Sequence, residues 1–214
     1  MAVPPPPAPF DPLLEGWPAG KGLHRIHGAA YGANEYNPTA RPAARFRPIA
    51  ITGGFVPTLY AAEGRDGAIS ETVFHDVPIQ GAERRVDLAR LSQYVYNVLA
   101  PSRDLQLVKL HSDGLRRLRV TNFDIIETEA ADYHDTIAWG VAAYEARVDG
   151  AHPDGIVWMS RQFNSERAVM LFGDRVDRGD LQLISRLPIP LFSEDGRELI
   201  YEAAERAGIT VVSP

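Results

Sequence analysis

The stretch PIAITGGFVPTLYAAEGRDGAISETVFHDV, residues 48–77, carries the reading of the fold. Pro48 to Thr52 and Pro57 to Ala61 read as two short strands joined through Gly53-Gly54. A helix follows from near Asp66, whose carboxylate can cap it. Ile69, Val73 and Val77 fall at i, i+4 and i+8 and make one buried face. Glu71 lies off that face, so its carboxylate can look out from the helix.

Upstream, Gly22 to His27 reads as a strand, and residues 32–45 as a loop broken by Asn37-Pro38 and Arg41-Pro42. Downstream, Val86 to Leu99 carries two periods. Leu88, Leu91, Val95 and Val98 have helical spacing, while Tyr94, Tyr96 and Val98 alternate as in a strand, so the segment stays open. Leu105 to Leu110 is a clearer strand, followed by a turn at Gly114 and a basic segment, Arg116 to Arg119. Asp132 to Arg147 predicts a central helix with Ile137, Val141 and Tyr144 along one side. Gly155 to Ser160 and Ala168 to Phe172 read as paired strands linked by a polar turn, Asn164-Ser165-Glu166. Ser193 caps a last helix, Glu194 to Ala207, which stops at Gly208, and Ile209 to Val212 adds a closing strand. Helices and short strands mix without regular alternation, which predicts a compact α+β domain rather than a doubly wound sheet.

The chain has 214 residues, enough for one domain with a proper core. Residues 1–20 are expected to be a proline-rich arm, with Pro4 to Pro7 extended, and residues 21–214 a single domain. No apolar run is long enough for a membrane span, and the amino terminus lacks the pattern of a secretory signal. Cysteine is absent, which removes disulfides and thiolate metal sites. A formal net charge of −6 disfavours direct nucleic-acid binding and gives an anion no global steering, so an anion site must be built from local arginines.

Several motifs fail. Gly20-Lys21 lacks the Walker spacing, and neither a GxGxxG nor a GxSxG occurs. His24 and His27 point to opposite faces of a strand and lack a third ligand, so no metal is expected. His75-Asp76 could be a catalytic pair, but such a pair is more often a histidine held by local hydrogen bonds.

The segment from His24 to Val77 is richer. It offers Arg25, Arg45 and Arg47 on strand or loop edges, Tyr60 in a strand and Glu71 on the helix after it. Guanidinium groups bind phosphate oxygens in a planar, two-pronged way. A tyrosine face can stack on a flat cationic ring. A carboxylate beside a developing oxocarbenium ion stabilises it. Together these suit cleavage of an N-glycosidic bond in a dinucleotide. Each residue type is common, and an exposed helical glutamate is usually only solvated.

The ordered motifs resemble the RES domain, over roughly residues 21–185. Arg25 stands in LHR (23–25), Arg45 in ARF (44–46), Tyr60 in TLYAAE (58–63) and Glu71 in AISETVFHD (68–76). Ser160 stands in DGIVWMSR (154–161), and LFGDRV (171–176) follows. Tyr60 and Glu71 are eleven residues apart, as the pattern wants. The sequence departs in having Ala43-Ala44 where glycines are usual and a longer step from Arg45 to Tyr60, so Arg47 shares the candidacy of Arg45.

The resemblance implies an ADP-ribosyltransferase-like core with a cleft for NAD, the substrate of a cytoplasmic bacterial toxin. Arg25 and Arg45 would hold NAD phosphates, Tyr60 would stack near nicotinamide, Glu71 would steady the ribose and Ser160 would hydrogen-bond nearby, unless its hydroxyl is only a strand-end group bonded to backbone. The acceptor would be phosphate or water in an NAD phosphorylase or glycohydrolase, with protein ADP-ribosylation as the alternative. A non-catalytic binding module recruiting a partner through the proline arm is the other alternative. The implied partners are an Xre-type antitoxin and a second copy of the chain within a larger complex.

Overall fold

The computed structural model describes residues 3–42, 44–78, 83–128 and 133–212, so Met1, Ala43 and the expected helix start Asp132 lie outside the described residues. In chain order, β1 (Leu14–Trp17) and β2 (Leu23–Gly28) precede a long loop. The pair β3 (Ala50–Ile51) and β4 (Gly54–Phe55), then β5 (Thr58–Ala62) and α1 (Arg65–Thr72), make up the stretch quoted first. β6 (Arg85–Asp87), β7 (Tyr94–Pro101), β8 (Leu105–Leu110), α2 (Ser112–Arg117), α3 (Asn122–Ile125) and α4 (Tyr133–Glu145) follow. The chain continues with β9 (Gly155–Met159), β10 (Arg167–Phe172), β11 (Leu181–Leu183), β12 (Ile189–Pro190), α5 (Glu194–Ala207) and β13 (Thr210–Val212).

The main sheet runs β1-β8-β9-β10-β5-β2-β7-β11, with β12 also on β7. Its strands pair antiparallel except β8 with β9. Both faces are buried, which is why strands such as β10 are apolar throughout instead of alternating. Ala168, Met170 and Phe172 join one cluster with Trp139 and Ala143 of α4. Val169 and Leu171 point the other way, into a cluster that also holds Trp17 of β1 and Leu99 and Leu181 from β7 and β11. Strands from opposite ends of the sheet share that cluster, so the sheet curls around it. The turn after β1 closes the curl, Gly20 N donating to Pro101 O at 2.8 Å. The α+β class read from the sequence is the class observed.

β2 pairs with β7 along its whole length, from Leu23↔Leu99 to Gly28↔Tyr94, but with β5 only at His24↔Ala62. Beyond His24 the two strands part, and the sheet opens there. This split positions everything described below.

Several local expectations change. The two strands expected over 48–61 become three. Gly53, at φ 87°, turns β3 onto β4, and β5 is separate. The first helix starts at Arg65 after Gly64, which has no side chain to cap it, and Asp66, inside the first turn, pairs with Arg206 at 2.7 and 2.8 Å. The Gly114 turn is part of α2, where Gly114 lies against the backbone of Lys109. Val86 to Leu99 divides: Leu88 and Leu91 anchor a 3-10 turn capped by Asp87, and the strand begins at Tyr94. In α4 the fully buried residues are Tyr133, Thr136, Trp139, Gly140 and Ala143, while Val141 and Tyr144 of the expected side pack only partly buried against the same core. Small and polar positions face inward there because the helix lies close against backbone. Ser193 and Gly208 bound α5 as read.

The amino-terminal prolines lie on α4. Trp139 Nε1 donates to Pro4 O at 2.8 Å, and Phe10 meets the Trp139 ring edge-on at 6.1 Å. Such a ring contact contributes about 1 kcal/mol beyond its buried area. Leu14–Trp17 then pairs with β8. Trp17 is covered by Arg167 and Lys21, whose charges are shared with Glu63. The Arg167 hydrogen bond draws the Glu63 carboxyl down to about 2.

Candidate functional site

The site begins with a tight turn. Arg47 N donates to Ala44 O at 3.0 Å, and Phe46 takes a left-handed conformation at φ 71°. That strain is tolerated because the Phe46 ring is fully buried, edge-on to Trp158 at 5.4 Å. From behind, α4 touches the turn: a Cβ at Gly140 would come within 2.0 Å of Phe46 O. The anchored phenylalanine sends its two arginine neighbours to different places.

Arg45 goes toward α1. Its guanidinium, 3% exposed, places Nη1 3.7 Å from Glu71 Oε2. It also lies over the ring of Tyr133 at 5.6 Å. The other oxygen, Glu71 Oε1, accepts from the backbone N–H of Arg161 at 3.1 Å. The Arg45 contact is an ion pair too long for a hydrogen bond. Oε2 therefore keeps its lone pairs for another donor. Ser160 lies beneath: it is buried, and its Oγ donates to Ser70 Oγ at 2.7 Å, which in turn accepts from Gln162 N at 3.3 Å. Tyr60 bridges to this cluster. Its hydroxyl donates to Arg45 O, its ring stands edge-on to Trp158, and burial pushes its phenol well above the ordinary value. His75, next to Asp76, shares a hydrogen bond with the Tyr133 hydroxyl and so ties α1 to the start of α4.

Arg47 goes the other way, into a cavity of about 400 Å3 at the split between β2 and β5. Arg25, His27, Tyr31, Thr58 and Tyr60 are also in its wall. The loop before the turn forms the far side, pinned where Asn37 takes the backbone of Thr58 that β2 leaves free. Arg25 donates to Ala33 O and, at 2.8 Å, to Glu35 O, while Arg47 donates to Thr39 O. Burial lowers Arg25 to about 10, still fully charged at neutral pH, and lowers Arg47 as well. Burial, then the nearby Arg25, lowers His27, whose Nε2 meets the Asn97 amide at 2.9 Å.

The RES domain matches residues 22–191, a span that contains the split, both arginine clusters and Glu71. The chain belongs to the RES-domain family. A chain from the crystal structure of the M. tuberculosis MbcT–MbcA toxin–antitoxin complex has a similar fold, with a TM-score of 0.58 at 20% identity. The similarity covers 86% of this chain and 91% of that one. No curated protein sequence matches.

The RES positions named from sequence thus fall into two neighbouring groups. Arg45, Glu71 and Ser160 gather around the end of α1, and Arg25 lies in the cavity, with Tyr60 reaching both. Ser70, Tyr133, Arg161 and Glu166 were not among the residues expected at the site. Ser70 and Arg161 adjoin expected residues, but the roles of Tyr133 and Glu166 depend on contacts across the fold. Glu166 stands in for the cap that α1 lacks, its Oε2 accepting from Gly67 N at 2.6 Å. A carboxylate there also complements the helix dipole. Glu166→Ala in this RES protein is expected to cost about 1 kcal/mol. A matching loss of secondary structure protection in α1, followed by hydrogen exchange, would check it; unchanged exchange from residues 65–72 would refute the capping role.

Proposed function

We propose that this RES protein is the toxin of a toxin–antitoxin pair and that it breaks NAD at the nicotinamide–ribose bond. The observation that carries the reading is the state of Glu71. One carboxylate oxygen is fixed by the Arg161 amide, and the other faces Arg45 without a hydrogen bond. Through Arg45 it is linked to Tyr60, which lines a cationic cavity suited to a dinucleotide's phosphates.

In the reaction the glycosidic C–N bond breaks and its electron pair goes to the pyridinium nitrogen, releasing neutral nicotinamide. The ribose carbon left behind takes on oxocarbenium character. Glu71 Oε2 would accept a ribose hydroxyl and stabilise that charge, in a setting where solvent is largely excluded. Tyr60 would border the nicotinamide, and Arg25, with Arg45 or Arg47, would hold phosphate oxygens. Ser160 would act from below, by fixing Ser70 and the end of α1 that carries Glu71. Family membership supports NAD as the substrate, and the likeness to a toxin–antitoxin complex supports an antitoxin partner. An Xre-type antitoxin, a dimer of this chain and a cytoplasmic location follow from the family resemblance. Among the described residues no helix is long and apolar enough to cross a membrane.

Purified protein mixed with NAD is expected to release nicotinamide. Carrying out the reaction in phosphate, in phosphate-free buffer and with added lysate identifies the acceptor from the ADP-ribosyl product. Absence of nicotinamide release from folded protein in all three would overturn the reading.

A further inference from the structure

The proline-rich segment, residues 3–10, precedes the span matched by the RES domain, yet it is seated on α4. Five of its eight residues are proline, so it has few N–H groups and cannot pair as a strand. Among the described residues one hydrogen bond ties it down, from Trp139 Nε1 to Pro4 O at 2.8 Å. The rest is packing. Phe10 stands edge-on to the Trp139 ring, and Val3 and Phe10 pack on the cluster that holds Trp139 and Phe46. A proline run offers carbonyls and an indole offers an N–H beside an apolar face, so the two match. Aromatic-lined surfaces take preformed proline runs in this way.

The anchoring changes at Asp11. Arg117 donates to the Asp11 carbonyl at 3.0 Å and pairs with its carboxylate, Leu13 O accepts from Lys109 N at 2.9 Å, and β1 follows. Residues 3–10 lack such ties. Lifting them exposes both partners of their one hydrogen bond to water, so neither is left buried and unpaired. The segment can therefore leave without breaking the sheet. What it covers bears on the site. Trp139 adjoins Gly140, which lies against Phe46 O, and Phe46 anchors the turn that carries Arg45 and Arg47. Tyr133, at the start of the same helix, lies beside Arg45.

We propose that the Trp139 face of α4 is a binding site for a polyproline segment, filled by residues 3–10 of the same chain, and that this strap holds α4 against the 44–47 turn. Its effect on turnover rests on the NAD reading above; the docking does not.

The test uses two variants of the full chain. Phe10→Ala removes the ring contact. Pro6→Gly with Pro7→Gly loosens the run and leaves Pro4 and Phe10 in place. Acrylamide quenching of tryptophan emission reports the strap, because Trp17, Trp139 and Trp158 are all 0% exposed. Hydrogen exchange at residues 44–47 reports the turn. In both variants one of the three tryptophans is expected to become quenchable and exchange at 44–47 to speed up. Nicotinamide release is expected to fall about tenfold, as reacting groups lose their placement. A peptide of residues 3–10, added at about millimolar concentration to match a short tether, is expected to reverse these changes.

Unchanged quenching in both variants would overturn the binding site, as would failure of the peptide to restore protection. Quenching of all three tryptophans would make the segment part of the core and overturn the strap. Raised quenching with parental exchange at residues 44–47 would overturn its hold on the turn. Protection in the parent that falls on dilution would seat a second copy's segment on α4 and overturn the intramolecular reading. No nicotinamide release by the parent would remove the activity proposed above and leave the strap, which quenching and exchange test without NAD.

Discussion

Glu71→Gln is expected to lower nicotinamide release from NAD by about 100- to 1000-fold, the range seen when one preorganised electrostatic contact is removed from a reacting centre. Glutamine keeps the size of the side chain, and its carbonyl can still accept from Arg161 N, so α1 should stay docked. What it loses is the negative charge next to the ribose. The effect should be large because the charge is poorly screened: the Glu71 side chain is only 11% exposed, and its cationic neighbour is 3% exposed. Arg45 draws on that charge but does not hydrogen-bond it, so the free oxygen remains able to meet a ribose hydroxyl as positive charge grows. Turnover of nicotinamide at the parental rate, with kcat measured at saturating NAD, would remove Glu71 from the chemistry. A fall confined to KM would make it a binding group instead.

Gly140→Ala is expected to damage both stability and activity. Helix propensity alone argues the opposite, since alanine is favoured over glycine inside a helix by about 1 kcal/mol. The packing reverses the sign. The added Cβ would sit 2.0 Å from Phe46 O and 2.8 Å from its carbon, and both are backbone atoms that no rotamer change can move aside. Either α4 or the 44–47 turn must shift. Overpacking of this kind costs about 1–3 kcal/mol, and for a chain of this size that lowers the melting temperature by roughly 5 °C. Moving the turn also displaces Arg45 from Glu71 and Arg47 from the cavity, so activity should fall further than stability alone explains. A melting temperature at or above that of the parent would show that α4 does not lie against the turn as described.

The residues themselves determined a good deal. Ser193 and Gly208 marked both ends of α5, and the apolar runs of β9 and β10 marked buried strands, because caps and continuous hydrophobic strands are local signals. The ordered Arg, Tyr, Glu and Ser motifs pointed to the RES family before any coordinates. Where both faces of an element are buried, periodicity loses its meaning, and so Val86 to Leu99 could not be divided and only part of the buried side of α4 was read. Only the folded chain decided that β2 and β5 separate after a single pair, and that Arg45 and Arg47, two residues apart, serve different groups. It also showed Glu166 capping α1 from a distant turn. Each of these depends on contacts between residues far apart in sequence. Such contacts are set by how the curled sheet closes and by how near α4 can come to a backbone, and neither is written in any local pattern of residues.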